Sequence, residues 1–131
     1  GGTFFEIDEQ LGDGAHDADG PWEPAGPDWQ RAKRTDRVTG IVAAELQCDD
    51  PAAVAQRWGE IAELPVKAAN TIVLQNANLR FVPCTDGRPE GLGGIDVSTA
   101  DKSAILAAAE AIGAKRSDDQ IYLCGMRINL V

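Results

Sequence analysis

Apolar and polar residues alternate over residues 38–48, which predicts a strand with Val42, Ala44, Leu46 and Cys48 on one side. Asp50 follows as a favourable N-cap, and Pro51 occupies the first helical position. Apolar residues at helical spacing then predict a helix over 51–62. Two short strands, at 71–75 and 79–84, are predicted to complete this segment.

The same order returns further along the chain. A strand is predicted at 94–99, and Asp101 then caps a helix over 102–112. Strands at 120–124 and 126–131 follow. This is an internal repeat of roughly fifty residues. The order of elements indicates an α+β protein, and by itself it also allows a ferredoxin-like sandwich.

The first 37 residues lack this regular pattern. Residues 3–10 alternate and predict a strand, with Phe4, Glu6 and Asp8 on one side. Residues 11–37 are rich in Gly, Pro and Asp, which predicts a linker or arm. Because Trp22 and Trp29 need apolar surroundings, we expect this arm to lie across the surface of the regular segment.

Charge narrows the range of partners. The 131-residue chain has 21 acidic and 12 basic residues and a net charge of −9. Nucleic acid and anionic membranes would be repelled, so neither is an expected partner. The three cysteines, Cys48, Cys84 and Cys124, form no C-x-x-C pair, which predicts buried reduced thiols in a cytoplasmic protein. We find no Ser/His/Asp set and no phosphate-binding loop after a strand.

Three stretches carry a family resemblance. Val-Ala-Ala-Glu-Leu-Gln-Cys-Asp-Asp-Pro-Ala-Ala-Val-Ala-Gln-Arg-Trp at 42–58 resembles the opening of a βαβββ unit of the glyoxalase-like, or vicinal oxygen chelate, superfamily. Leu-Arg-Phe-Val at 79–82 resembles its third strand, and Gly-Met-Arg-Ile-Asn-Leu-Val at 125–131 its last. The resemblance implies two βαβββ units, at 38–84 and 94–131, that form a curved mixed sheet with a cleft. Residues 1–10 resemble the closing strand of a preceding module.

Relatives with this fold hold a divalent metal in the cleft as a Lewis acid. The resemblance places Ala43, Gly94 and Asn129 at the ligand positions of the module at 38–131, and we expect no metal there, because these are poor ligands. Glu6 would be a metal ligand of the preceding module. The single histidine, His16, lies in the arm and is expected to be solvated.

Alternation places one set of polar residues on the cleft face with the ligand positions, and these are candidates for binding a small molecule. They are Glu45, Gln47, Arg80, Asp96, Ser98, Arg127 and Asn129. Arg80 and Arg127 could bind a carboxylate or phosphate, or they could pair with Glu45 or Asp96.

The resemblance leaves three functions open. The chain could belong to a metal-dependent lyase, isomerase or dioxygenase whose metal is held by another module. It could be a metal-free binding protein like the bleomycin-resistance branch, or a structural half. In each case, we expect a homodimer or pairing with a second glyoxalase-like module.

Overall fold

The computed structural model describes residues 3–131, apart from the side chain of Glu23. Its first unit consists of β1 (Val38–Cys48), α1 (Pro51–Ala62), β2 (Val66–Lys67), β3 (Thr71–Val73) and β4 (Asn78–Pro83). Its second unit consists of β5 (Gly91–Thr99), α2 (Lys102–Ala111), β6 (Gln120–Leu123) and β7 (Met126–Leu130). The predicted α+β class is confirmed, and each strand and helix predicted within residues 38–131 is present.

Both helices begin where their aspartate can cap them. A side-chain oxygen of Asp50 accepts from the backbone N–H of Ala53 at 3.0 Å, and one of Asp101 accepts from that of Ala104 at 2.9 Å. Each bond satisfies one of the amides that a helix start leaves without a partner. The hydrogen bond from Ala104 also lowers the pKa of Asp101, because it favours the charged carboxylate.

All seven strands form one curved sheet in the order β2-β3-β4-β1-β5-β7-β6. β1 and β5 pair antiparallel at its centre. β4 runs parallel to β1, and β7 runs parallel to β5. The two units are therefore arranged symmetrically about the central strand pair, and the internal repeat read from the sequence is a structural repeat.

Each unit has its own apolar core between its helix and the sheet. Leu46, Ile72 and Phe81 are buried under α1, and Val97, Ile121 and Leu130 under α2. The polar residues that alternate with them face the other side of the sheet, which we call the concave face. The functional candidates lie there.

The second unit differs from the predicted βαβββ pattern. Only two regular strands follow α2, and an isolated bridge between Lys115 and Ile121 stands where the first unit has β2. The two-residue β2 itself was not predicted, because so short a strand leaves no periodic pattern.

The predicted strand at residues 3–10 is wrong for this structure, in which residues 3–11 have no regular structure. The ring of Phe5 lies parallel to that of Trp58 on α1, with 4.8 Å between the ring centres. Burial of this ring against the helix takes the segment away from the sheet, where a strand would need a partner edge. Phe4 and Ile7 stay exposed. Residues 1 and 2, part of the predicted closing strand, lie outside the described residues.

The arm is bonded within itself. It holds two 3₁₀ turns, Glu23–Ala25 and Trp29–Ala32. The indole N–H of Trp29 donates to the carbonyl oxygen of Gly20 at 3.1 Å, and the Lys33 amine is 2.8 Å from a carboxylate oxygen of Asp19. Trp22 is exposed. Both tryptophans were expected to pack on the module, but Trp29 bonds within the arm and Trp22 is exposed.

The cysteines are unpaired, as predicted, but they are not all buried. Cys48 is buried in the first core, Cys84 is half-buried and Cys124 is exposed in the turn between β6 and β7. Burial is the main cause that raises the pKa of the Cys48 thiol. Within residues 3–131, neither helix has the length and apolar content needed to cross a bilayer.

Candidate functional site: an arginine network on the concave face

Strand register brings the polar residues of the concave face into rows across the sheet. In one row, Glu45 on β1 lies between Arg80 on β4 and Gly94 on β5. The row continues to Arg127 on β7 and Tyr122 on β6. The neighbouring row contains, in order across the sheet, Ala43, Asp96, Asn129 and Gln120. Residues far apart in sequence are thereby placed side by side.

Acidic and basic side chains alternate along these rows. The guanidinium of Arg80 donates to both carboxylate oxygens of Asp96 and, at 3.2 Å, to Glu45. Glu45 also accepts from Arg127, from Nε at 3.1 Å and from Nη2 at 2.6 Å. Arg127 reaches onward to Asp86. We call the connected set Asp96, Arg80, Glu45, Arg127, Asp86 and Arg88 the arginine network.

The loop between β4 and β5 supplies the last two members. Arg88 is paired with Asp86, and its Nε donates to that carboxylate at 2.9 Å. Gln47, which is buried, donates to the carbonyl oxygen of Pro89 at 2.8 Å and to Asp86 at 3.2 Å, which fastens the loop onto β1. The hydrogen bond from Arg88 is the main cause that lowers the pKa of Asp86.

At the other end, Asp96 is enclosed by donors. Besides Arg80, the side-chain amide of Asn129 donates to it at 2.7 Å, and Asn129 in turn accepts from Gln120 at 2.8 Å. The bond from Arg80 is the main cause that holds the pKa of Asp96 below its usual value. Among the described residues, every buried side-chain oxygen and nitrogen has a hydrogen-bond partner.

Two glycines make room for Arg127 to cross β5. A Cβ at Gly94 would lie 2.7 Å from the carbonyl oxygen and 3.0 Å from the Cβ of Arg127. A Cβ at Gly93 would overlap the Arg127 guanidinium and lie 2.9 Å from the Gln47 side-chain oxygen. Gly94, which the sequence resemblance placed at a metal-ligand position, is thus a position where this chain needs the absence of a side chain.

An open cavity of about 390 Å³ adjoins one end of the network. It is lined by Asp86, Arg88, Arg116, Gln120, Tyr122 and Arg127. The guanidinium carbon of Arg116 lies 5.0 Å from the centre of the Tyr122 ring, and that of Arg88 lies 5.7 Å from it, which are distances of cation–π contacts. The cavity contains space for a small molecule beside strongly charged groups.

Most of the predicted site residues come together. Glu45, Gln47, Arg80, Asp96, Arg127 and Asn129 all belong to one connected set of hydrogen bonds. Ser98 does not join it, because its hydroxyl bonds to Thr39 and to the carbonyl oxygen of Gly40. Of the two alternatives left open for Arg80 and Arg127, the structure has both arginines in ion pairs.

The donor set of this face does not suit a metal ion. Ala43 and Gly94 offer no ligand, and the Asn129 oxygen already accepts from Gln120. The nearby carboxylates of Glu45 and Asp96 are held by arginines, and a guanidinium beside a carboxylate repels a cation. Within residues 3–131, no cluster of three or more His, Cys, Asp or Glu side chains could hold a metal. Glu6 and His16 are exposed outside the sheet, and the ligand role of Glu6 stays a prediction.

Sequence reasoning missed Asp86, Arg88, Arg116, Gln120 and Tyr122. The strand alternation around buried Ile121 could have placed Gln120 and Tyr122 on the concave face. The other three lie in loops, whose direction of approach to the sheet is not encoded in any periodic pattern.

Comparison with solved structures supports the predicted architecture. The crystal structure of methylmalonyl-CoA epimerase from Mycobacterium tuberculosis is similar, with a TM-score of 0.54 and 15% sequence identity, over 76% of this chain and 91% of that chain. This likeness shows the glyoxalase fold. No family model matches the chain, and a search of curated proteins finds no match.

Proposed function

We propose that this chain binds a polar small molecule on the concave face of its sheet and does so without a metal of its own on that face. The observation that carries the proposal is the arginine network. Its three carboxylates, Glu45, Asp86 and Asp96, each accept hydrogen bonds from arginine, so the face is built for polar recognition by guanidinium groups.

The same observation argues against acid–base catalysis by two of these carboxylates, Asp86 and Asp96. A general base that removes a proton at neutral pH works best with a pKa near neutrality. The pKa values of Asp86 and Asp96 are shifted the other way, mainly by Arg88 and Arg80 respectively. The likeness to an epimerase supports a shared fold alone, and we do not extend that enzyme's activity to this chain.

Association with a second copy is part of the proposal. Phe4 and Ile7 are exposed before the arm and Leu11 at its start, and such side chains are typical of a surface that packs against another chain. A homodimer would cover them.

Two measurements test the proposal. The purified protein is incubated with Zn²⁺, Ni²⁺, Fe²⁺ or Mn²⁺, dialysed and assayed for metal; we expect no ion bound stoichiometrically by the sheet. A library of polar small molecules is then screened by thermal shift on the wild type, on Tyr122→Leu and on the control Arg57→Gln, which changes an exposed residue of α1.

Ligands of the concave face should stabilise the wild type and the control and lose most of that effect in Tyr122→Leu. A metal bound by the concave face would contradict the proposal. So would a set of ligands that stabilises all three proteins equally.

A further inference from the structure

We infer that the ligand carries a compact dianionic group, a phosphate or a dicarboxylate, and that this group binds in the cavity that Arg116 and Tyr122 help to line. The inference rests on the proposed function and specifies its ligand. Three arginines and one aspartate line the cavity, and Glu45 is paired with one of these arginines, Arg127, which gives the set a net charge of about +1 at neutral pH. In a chain of net charge −9, this is a local concentration of positive charge.

Of the three arginines that line the cavity, Arg116 is the one whose guanidinium N–H groups are available to a ligand. Arg127 directs its three guanidinium nitrogens at Glu45, Gln47 and Asp86. Arg88 directs its own at Asp86 and at the carbonyl oxygens of Gly93 and Gly125. In the described part of the chain, Arg116 has no acidic partner, and its guanidinium lies over the Tyr122 ring.

An anion entering the cavity would therefore meet two kinds of interaction. The planar fork of Arg116 can donate two parallel hydrogen bonds to a carboxylate or phosphate. Arg88 and Arg127 stay with their partners, Asp86 and Glu45, which offset most of their charge, so these two arginines add only a weaker positive field. Contact with Tyr122 orients the Arg116 guanidinium before the anion arrives.

The size of the cavity limits the group but not the whole ligand. At about 390 Å³ and open to solvent, it holds a small charged head and leaves the remainder of a larger molecule along the concave face. A phosphate and a dicarboxylate both present negatively charged oxygens that a guanidinium can bind. Measuring the affinity for each of them separately shows which one the site prefers.

The test uses the full chain and four probes: inorganic phosphate, oxalate, the monoanion acetate and neutral acetamide. Affinities are measured at pH 8 by titration calorimetry, and the site is located from amide NMR shifts of residues 114–123. We expect phosphate, oxalate or both to bind more tightly than acetate, with acetamide not bound. Arg116→Gln should weaken the tighter dianion about tenfold, as loss of a charge-assisted fork predicts. Raising the salt concentration should weaken it further.

Arg57→Gln is the matched control, because Arg57 is exposed on α1, does not line the cavity, and its replacement makes the same change of charge. It should leave the affinity within twofold of the wild type, and Arg116→Lys should recover part of what Arg116→Gln loses. Equal affinity of the wild type and Arg116→Gln would overturn the inference, as would shifts confined to other residues. A neutral ligand that binds the concave face would also overturn it and would leave the proposed function standing.

Discussion

Replacing Arg80 by glutamine is the sharpest perturbation of the arginine network, because this guanidinium joins two carboxylates on neighbouring strands. Arg80→Gln keeps much of the side-chain volume and removes the charge. Asp96 and Glu45 then lose the donor that they share.

Exposure of the three side chains sets the size of the effect. Arg80 is 30% exposed, Glu45 15% and Asp96 11%. Removing one partner of a fully buried pair costs about 3–5 kcal/mol, and an exposed pair contributes about 0–1 kcal/mol. The network lies between these limits, so we expect Arg80→Gln to lower the free energy of unfolding by about 2 kcal/mol. For a chain of this length, that corresponds to a fall in Tm of about 7 °C.

The assay is urea unfolding followed by tryptophan fluorescence at pH 7, with Arg57→Gln as the matched control. Arg57 is 71% exposed and pairs with Glu60 one helical turn away, so its loss should cost at most about 0.5 kcal/mol. An unchanged slope of free energy against urea would show that the two variants unfold from comparable states. If Arg80→Gln were no more destabilising than Arg57→Gln, the network would have no part in stability, and the reasoning would be refuted.

Further changes test other parts of the account. Gly94→Ala should destabilise by about 1–3 kcal/mol through overpacking against the neighbouring strand, whereas Gly40→Ala, where a Cβ meets only ordinary contact, should be near neutral; thermal unfolding compares them. Because the pKa of Asp96 is lower in the folded protein, its charge stabilises above pH ~3.9 and that stabilisation is lost as pH falls through the folded value. The stability gap between the wild type and Asp96→Asn, from unfolding curves at pH 3 to 7, should therefore shrink on acidification; a constant gap would contradict this. Asp101→Ala should cost about 1 kcal/mol by removing a helix cap, and amide exchange should quicken in the first turn of α2. Light scattering at micromolar concentration should find a dimer that becomes a monomer on deletion of residues 1–30; a monomer throughout would exclude association through the arm.

The regular part of the fold could be predicted because its patterns are local. Strand alternation and the aspartate caps predicted the first and last residues of β1 and α1 as the structure shows them. They also predicted the first residue of α2. The segment at residues 3–10 has the same alternation and forms no strand. A strand also needs the free edge of a neighbouring strand to pair with, and the alternation of residues contains no information about such an edge. The stacking of Phe5 on Trp58 could not be predicted from the sequence either.

For a similar reason, the strand residues of the site could be predicted from the sequence, and its loop residues could not. Alternation placed Glu45, Asp96 and Arg127 on one face, but it could not tell which strands are adjacent across the sheet. The parallel pairing of β5 with β7, which brings Gly94 beside Arg127, follows from the assembled topology. Loop residues such as Asp86 and Arg116 reach the site only once that topology exists.

The central claim, that arginines hold the carboxylates of the concave face, is tested most directly by carboxyl ¹³C NMR of Asp86 and Asp96 during an acid titration of the folded protein. The account predicts that both resonances titrate with midpoints below the ordinary value of about 3.9, because hydrogen bonds from arginine hold both pKa values down. A midpoint at or above that ordinary value for either residue would show that its arginine partner does not hold it, and would contradict the account.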